Sequence, residues 1–332
     1  MTSPINLLLF GRMTVPWTEW MTEQLGSEWQ ITHWSEGDAP SALPALAADA
    51  EVIVGGRFKA SDFPDVSNLK LYHIPFTGFD WLDGSAMPPG SQVCNTFEHE
   101  IAIAEYIMAG VLEAEIGMAA ISARFKSHRW ENRLPGIGPG RGELHGKTLS
   151  IIGYGHIGWE TARRAQAFGM HVHAVSRRVP SPDVVQPDQF STMDQLDVVL
   201  AESDYVVVTL PLSDETLGLF DAGRFGAMKP TGVLINVGRG KVIEEQALFD
   251  ALSENRIGGA VIDVWYQYPT PDDPDPTPSK YPFQELDNII MTPHLSARTE
   301  AMRNRRWRFV VENLQRYANG EALQNICYES DS

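Results

Sequence analysis

The chain has 332 residues, enough for two domains with separate cores. At 43% hydrophobic and 21% charged it is globular rather than disordered, and no apolar run approaches the ~18 residues of a membrane span. A net charge of −17 argues against a nucleic-acid or anionic-membrane surface, so an anionic ligand needs local positive charge to bind. The start of the chain lacks a basic stretch and runs straight into an apolar segment, which reads as mature sequence. Cys94 and Cys327 are the only cysteines and have no metal-ligand spacing, so neither a disulfide framework nor a metal site is indicated. A reducing cytoplasm is the default setting.

Short apolar runs at 5–10, 29–34, 51–54, 70–74 and 92–94 alternate with helical stretches, the pattern of an open, mostly parallel sheet. One long helical pattern then begins near Glu98 and runs to Phe125, a length suited to bridging two domains. Residues 134–142, rich in glycine and proline, break regular structure. Residues 148–152 form the next predicted strand, and Gly153, Gly155 and Gly158 follow with the G-x-G-x-x-G spacing of a dinucleotide-binding turn. The first glycine permits the tight turn, the second lets a pyrophosphate approach the backbone, and the third lets the next helix pack on the strand. That helix, about 156–168, offers free N–H groups and a positive dipole end to phosphates, and a strand at 171–175 completes the unit. Tyr154, His156 and Ile157 lie in the same turn.

The alternation resumes with strands at 205–210, 233–237, 260–264 and 289–292, separated by helices at 194–201, 221–228 and 244–255. Six prolines between 266 and 282 rule out regular structure there, and the segment reads as a loop near the domain junction. A last helix at about 298–318 returns the chain to the first domain. The expected fold class is α/β, with two doubly wound parallel-sheet domains, Rossmann-like and flavodoxin-like. Residues 1–98 plus 300–332 form the substrate-binding domain and 99–299 the dinucleotide-binding domain, with cofactor and substrate in the cleft between them.

Hydride transfer to a carbonyl needs a cofactor, a proton donor and a cation that fixes and polarises the substrate. Arg239 follows the strand at 233–237, where ligands of doubly wound folds bind, and its guanidinium can grip a carboxylate with two hydrogen bonds. His294 likewise follows a strand, although a loop histidine by itself is more often an ordinary residue than a catalytic one. The strand ending at 175 is followed by Ser176, Arg177 and Arg178. NAD binders place a carboxylate there for the ribose hydroxyls. Here no carboxylate stands to repel a 2′-phosphate and two guanidiniums can pair with it, so NADP is the expected cofactor, with NAD also possible.

These motifs together resemble the D-isomer-specific 2-hydroxyacid dehydrogenase family, which includes glyoxylate/hydroxypyruvate reductases and phosphoglycerate and formate dehydrogenases. The resemblance spans nearly the whole chain: Leu144–Leu149 before the glycine turn, Thr209–Ser213, Asn236–Gly240, Gly259–Val264, Thr292-Pro293-His294 with Thr299, and in the first domain Gly78–Asp83 and Ala104-Glu105. It implies that Arg239 binds substrate, that His294 is the acid/base, and that Asp263 meets the nicotinamide carboxamide. It further implies Leu210, Pro211, Thr216, Val237 and Gly238 as cofactor contacts, and Gly56, Thr77 and Gly78 as substrate contacts, the last two through backbone N–H groups.

Two positions depart from the family pattern. Tyr268 stands where a glutamate usually pairs with the histidine, which removes an anion that would raise the histidine pKa; Glu98 or Asp275 are the alternative acids. His99 stands where asparagine is common, either touching substrate or serving as a helix N-terminal residue. The expected activity is NAD(P)-dependent interconversion of a small 2-keto acid and its D-2-hydroxy acid, of glyoxylate/hydroxypyruvate type, by a homodimer. The competing readings are oxidation of an oxyanion such as formate or phosphite, and a nucleotide-sensing corepressor of the same fold.

Overall fold

The computed structural model describes residues 3–57, 61, 65–79, 81–127, 140–270 and 272–330. Residues 134–139 of the expected structure-breaking stretch, Asp80 of the first-domain motif and Pro271 of the proline-rich segment lie outside the described residues. In chain order the elements are β1 (Ile5–Phe10), α1 (Thr18–Leu25), β2 (Trp29–Trp34), α2 (Leu43–Asp49), β3 (Val52–Gly55), β4 (Leu71–His73) and β5 (Gln92–Cys94). There follow α3 (Glu100–Ile116), α4 (Met118–Lys126), β6 (Thr148–Ile152), α5 (His156–Ala167), β7 (His171–Val175), β8 (Gln189–Ser191), α6 (Leu196–Glu202) and β9 (Tyr205–Val208). The chain ends with α7 (Ala222–Ala227), β10 (Val233–Asn236), α8 (Glu245–Ser253), β11 (Gly259–Ile262), β12 (Ile289–Met291), α9 (Glu300–Ala318) and β13 (Ile326–Glu329). They fall into two compact units, Met1–Glu98 with Thr299–Ser332, and His99–Arg298. No helix among the described residues is long and apolar enough to cross a membrane.

The first unit is built on a sheet of order β13-β5-β4-β3-β1-β2, parallel except for β13. β1 shows why it is central. Leu7 and Leu9 pack with Met21, Trp29 and Val310 on one face, while Leu8 and Phe10 pack with Trp34, Ile53 and Tyr72 on the other. A strand apolar at both parities must be covered on both sides. The Thr299 hydroxyl caps α9 by accepting the Met302 N–H (3.0 Å), and α9 buries Met302, Trp307, Val310, Val311 and Leu314. Beyond it β13 closes the sheet edge against β5, fastened where Ser330 N–H donates to Ser91 O (3.0 Å).

The second unit carries seven parallel strands in the order β12-β11-β10-β9-β6-β7-β8. β6 pairs with both β7 and β9, so the strand order reverses beside it. Such a switch point opens a crevice at the carboxyl ends of the strands. Strand residues again divide by parity: Ile151, Val207 and Ile235 enter one core, Ile152, Val206, Val208 and Leu234 the other. The single long helix expected from Glu98 to Phe125 is two helices. Gly117 adopts a left-handed conformation (φ +64°) and its N–H caps Glu113 O at 2.7 Å, which ends α3. Gly110 is needed on the buried side of α3, where a Cβ would come within 3.0 Å of Val261. Two short strands, β8 and β13, were not among the expected ones.

Candidate active site

The glycine turn after β6 uses each glycine differently. Gly153 has φ +101°, and a Cβ there would lie 2.8 Å from Thr209 Oγ1. At Gly158 a Cβ would meet Gly153 O at 2.8 Å and Ile151 Cγ2 at 3.3 Å, so its absence lets α5 press onto the strand. A Cβ at Gly155 would have nothing within 4 Å. The backbone there is bare, and Gly155 is also the residue from which α5 starts. A bare turn at a helix N-terminus can seat a pyrophosphate.

A pocket of about 1310 Å³ opens over this turn. Its walls include Gly153, Tyr154, Gly155 and His156, Ser176 to Arg178 beyond β7, and Leu210, Pro211 and Thr216 beyond β9. Ile157, Gly158, Val237, Gly238 and Asp263 do not line it. Gly158 and Gly238 act through packing, since a Cβ on Gly238 would fall 2.6 Å from Leu210 O. Thr216 holds the loop itself, donating to Pro211 O (2.7 Å) and accepting from Ser213 N–H (2.8 Å). The expectation that no carboxylate faces the arginines needs correction. Asp214 and Glu215 line the same pocket, and Glu215 lies 3.1 Å from Arg177. The sequence signal was the pair of acids directly after Pro211-Leu212-Ser213, whose loop folds back toward the end of β7.

The chemistry-bearing residues sit at the carboxyl ends of β10, β11 and β12. Arg239 is held by its neighbours: a Cβ on Gly238 or Gly240 would strike the carbonyl of Leu210 or Trp265, and Asn236 Nδ2 donates to Arg239 O at 3.2 Å. The exposed guanidinium donates to Gly238 O (3.0 Å) through Nη1 and keeps its other donors toward solvent. Asp263, at the end of β11, is fully buried. Its carboxylate accepts from the Thr292 hydroxyl (2.6 Å), Leu295 N–H (2.8 Å) and Ser296 N–H (2.9 Å). Its oxygens bind the loop that carries His294. That anchoring explains how His294 is kept at φ +53°, which a bulky residue seldom adopts. The Trp265 indole N–H adds a bond to Thr292 O at 2.8 Å, a supporting residue the sequence reading missed.

Tyr268 lies against His294, ring centroids 5.5 Å apart and tilted by 56°. Its hydroxyl accepts the Trp265 N–H at 3.0 Å, so it covers the imidazole without supplying an anion. Glu98, one of the alternative acids, pairs with Arg305 at 3.2 Å within the other unit, and Asp275 is exposed. The His294 pKa is lowered, first by partial desolvation of the ring, against which Asp263 pulls upward while Arg239 and Arg298 push down further. Burial also raises the Tyr268 pKa, so its phenol is neutral.

Of the residues expected to touch substrate, Gly56, Thr77 and Gly78 lie in the first unit, on loops after β3 and β4. Gly56 O accepts from the Tyr72 hydroxyl, Thr77 Oγ1 donates to Thr96 O (2.8 Å), and Gly78 O accepts from Trp81 Nε1 (2.9 Å). His99 directly precedes α3 in the second unit, its Nδ1 3.7 Å from Glu100.

A protein-family model described as "D-isomer specific 2-hydroxyacid dehydrogenase, NAD binding domain" matches residues 108–296. The glyoxylate reductase of Thermococcus onnurineus is 34% identical over 278 residues, covering 80% of this chain and 78% of that protein. The D-3-phosphoglycerate dehydrogenase of Methanocaldococcus jannaschii is 30% identical over 284 residues; the match covers 84% of this chain but only 52% of that protein, about half its length. Among solved structures, a D-isomer specific 2-hydroxyacid dehydrogenase family protein from Aeromonas salmonicida superposes with a TM-score of 0.80 at 27% identity, covering 98% of this chain and 99% of that one. The chain belongs to the D-isomer specific 2-hydroxyacid dehydrogenase family.

Proposed function

We propose that the protein interconverts a small 2-keto acid and its D-2-hydroxy acid, of glyoxylate/hydroxypyruvate type, with NADP(H) preferred over NAD(H). The observation that carries this reading is the placing of Arg239 and His294, both exposed, at the carboxyl ends of β10 and β12 on either side of β11, with the His294 loop fixed by Asp263 at the end of β11. When bound over the glycine turn, the nicotinamide cofactor supplies or accepts a hydride. Arg239 grips the substrate carboxylate and polarises the C2 carbonyl. His294 gives a proton to the carbonyl oxygen in reduction and takes it from the hydroxyl in oxidation. Hydride plus proton balances the two-electron step. Backbone N–H groups around Thr77 and Gly78 are assigned to the substrate carboxylate, with Gly56 and His99 beside it. The NADP preference rests on Arg177 and Arg178 in the pocket wall.

The protein acts as a homodimer in this reading. Met118, Ile121 and Phe125 are exposed at helical spacing along α4, an apolar stripe that a second copy would cover. Oxidation of formate or phosphite remains the second reading, favoured by one observation, the tyrosine in the glutamate position. Following loss of reduced-nicotinamide absorbance with glyoxylate, hydroxypyruvate and longer 2-keto acids tests both, with NADPH and NADH compared. The expected result is turnover with KM for NADPH well below that for NADH. Turnover only with formate or phosphite plus oxidised cofactor would contradict it.

The pH dependence follows from the lowered His294 pKa. Reduction uses the imidazolium, whose population falls as pH rises through a pKa below the usual ~6.5. Its rate is therefore best in mild acid and already declining at neutral pH, whereas oxidation uses the neutral ring and persists to lower pH. Tyr268→Glu places a carboxylate beside the imidazole and is expected to move both limbs up by about one unit or more. A reduction profile flat to alkaline pH, and unmoved by that substitution, would refute the assignment.

A further inference from the structure

The two arginines beyond β7 do not face the pocket alone. Arg177 Nη1 is 3.1 Å from Glu215 Oε2, a pair formed between residues 38 positions apart, and both side chains are mostly exposed. Arg178 and Asp214 line the same pocket. The turn that presents Glu215 is fixed: the Thr216 hydroxyl donates to Pro211 O (2.7 Å) and accepts from Ser213 N–H (2.8 Å). Glu215 is thus held by local hydrogen bonds in the segment that opposes Arg177.

A third arginine of the pocket, Arg224, is engaged by Asp197 (3.6 Å) and Leu219 O (2.7 Å), so the charge around Arg177, two cations and two carboxylates, is balanced rather than basic. A phosphate monoester brings close to two negative charges. To reach Arg177 it must share or displace the Glu215 carboxylate, and it meets like-charge repulsion from Glu215 and Asp214. A ribose hydroxyl carries no charge and leaves the Arg177–Glu215 pair as it is.

We propose that Glu215 is a specificity-determining residue that occupies Arg177 and thereby restrains affinity for a cofactor 2′-phosphate, so that the pocket admits both nicotinamide dinucleotides. This rests on the reading that Arg177 and Arg178 receive that phosphate. It assigns to Glu215 the opposite effect from theirs: removing its charge strengthens binding.

The test is calorimetric titration of the full-length native protein, Glu215→Gln and Arg177→Ala with 2′,5′-ADP and, separately, ADP, at low and high salt. Glu215→Gln is expected to bind 2′,5′-ADP about two- to fivefold more tightly than the native protein, the range an exposed charge pair can supply. ADP affinity stays within about twofold, and the gain shrinks at high salt because exposed charges are screened. Arg177→Ala is expected to weaken 2′,5′-ADP alone. If Arg177→Ala weakens 2′,5′-ADP but Glu215→Gln does not tighten it, the role given to Glu215 is overturned while the 2′-phosphate reading stands. If Arg177→Ala changes nothing, the 2′-phosphate reading itself falls, and this proposal with it.

Discussion

Arg239→Ala is expected to lower kcat/KM for 2-keto acid reduction by about 10²- to 10³-fold, the effect of deleting one preorganised donor at a developing oxyanion. The guanidinium is placed for this by its backbone. Gly238 and Gly240 are packed against neighbouring carbonyls, so the intervening residue projects outward at the end of β10. Arg239 does not line the large pocket over the glycine turn, so NADPH affinity should hardly change. Arg239→Lys keeps the charge but loses the planar fork, and should recover only part of the loss. Near-native kcat/KM in the alanine variant, measured with NADPH saturating, would remove Arg239 from the mechanism.

The second large effect concerns His294. Removing a general acid slows the chemical step by about 10²- to 10⁴-fold, and because the proton moves only in the transition state the loss belongs in kcat rather than KM. His294 has φ +53°, so alanine there also strains the loop. Asparagine tolerates that conformation and carries no titratable proton, which makes His294→Asn the cleaner variant. Both substitutions should lower kcat alike and abolish the decline of the reduction rate with rising pH. A variant that keeps the native pH profile would show that another group delivers the proton.

The strands were legible wherever both faces of a sheet had to be apolar. The run Leu7-Leu8-Leu9-Phe10 and the run Val206-Val207-Val208 leave no polar parity, so little but a central strand fits them. β8 and β13 lie at sheet edges with mixed, half-exposed residues, and carry no such signature. The break in the long helix was written in one residue, Gly117, which helical periodicity alone passes over. The glycine turn was readable because each glycine answers a distinct steric demand along a short stretch of chain.

The less legible features all depend on which segments the fold brings together. Glu215 reaches Arg177 only because the loop after β9 turns back toward the end of β7. The resemblance says nothing of the three donors from the His294 loop that Asp263 accepts, which only the folded chain reveals. The role of Tyr268 was half visible: the missing glutamate predicts a histidine pKa that is not raised, but the cause that lowers it is first the partial desolvation of the ring. Spacing reveals the type of a residue and the strand end it follows. It does not reveal which hydrogen bonds already engage it.

The central claim, that this chain moves a hydride between nicotinamide and C2 of a 2-keto acid, is tested most directly by isotope transfer. The purified protein is incubated with hydroxypyruvate and NADPH deuterated at nicotinamide C4, separately in each of its two stereochemical forms, and the product is analysed by mass spectrometry and chiral chromatography. The account predicts D-glycerate carrying one deuterium at C2 from one of the two labelled cofactors and none from the other. Formation of the L product, or of D-glycerate without deuterium from either cofactor, would contradict it.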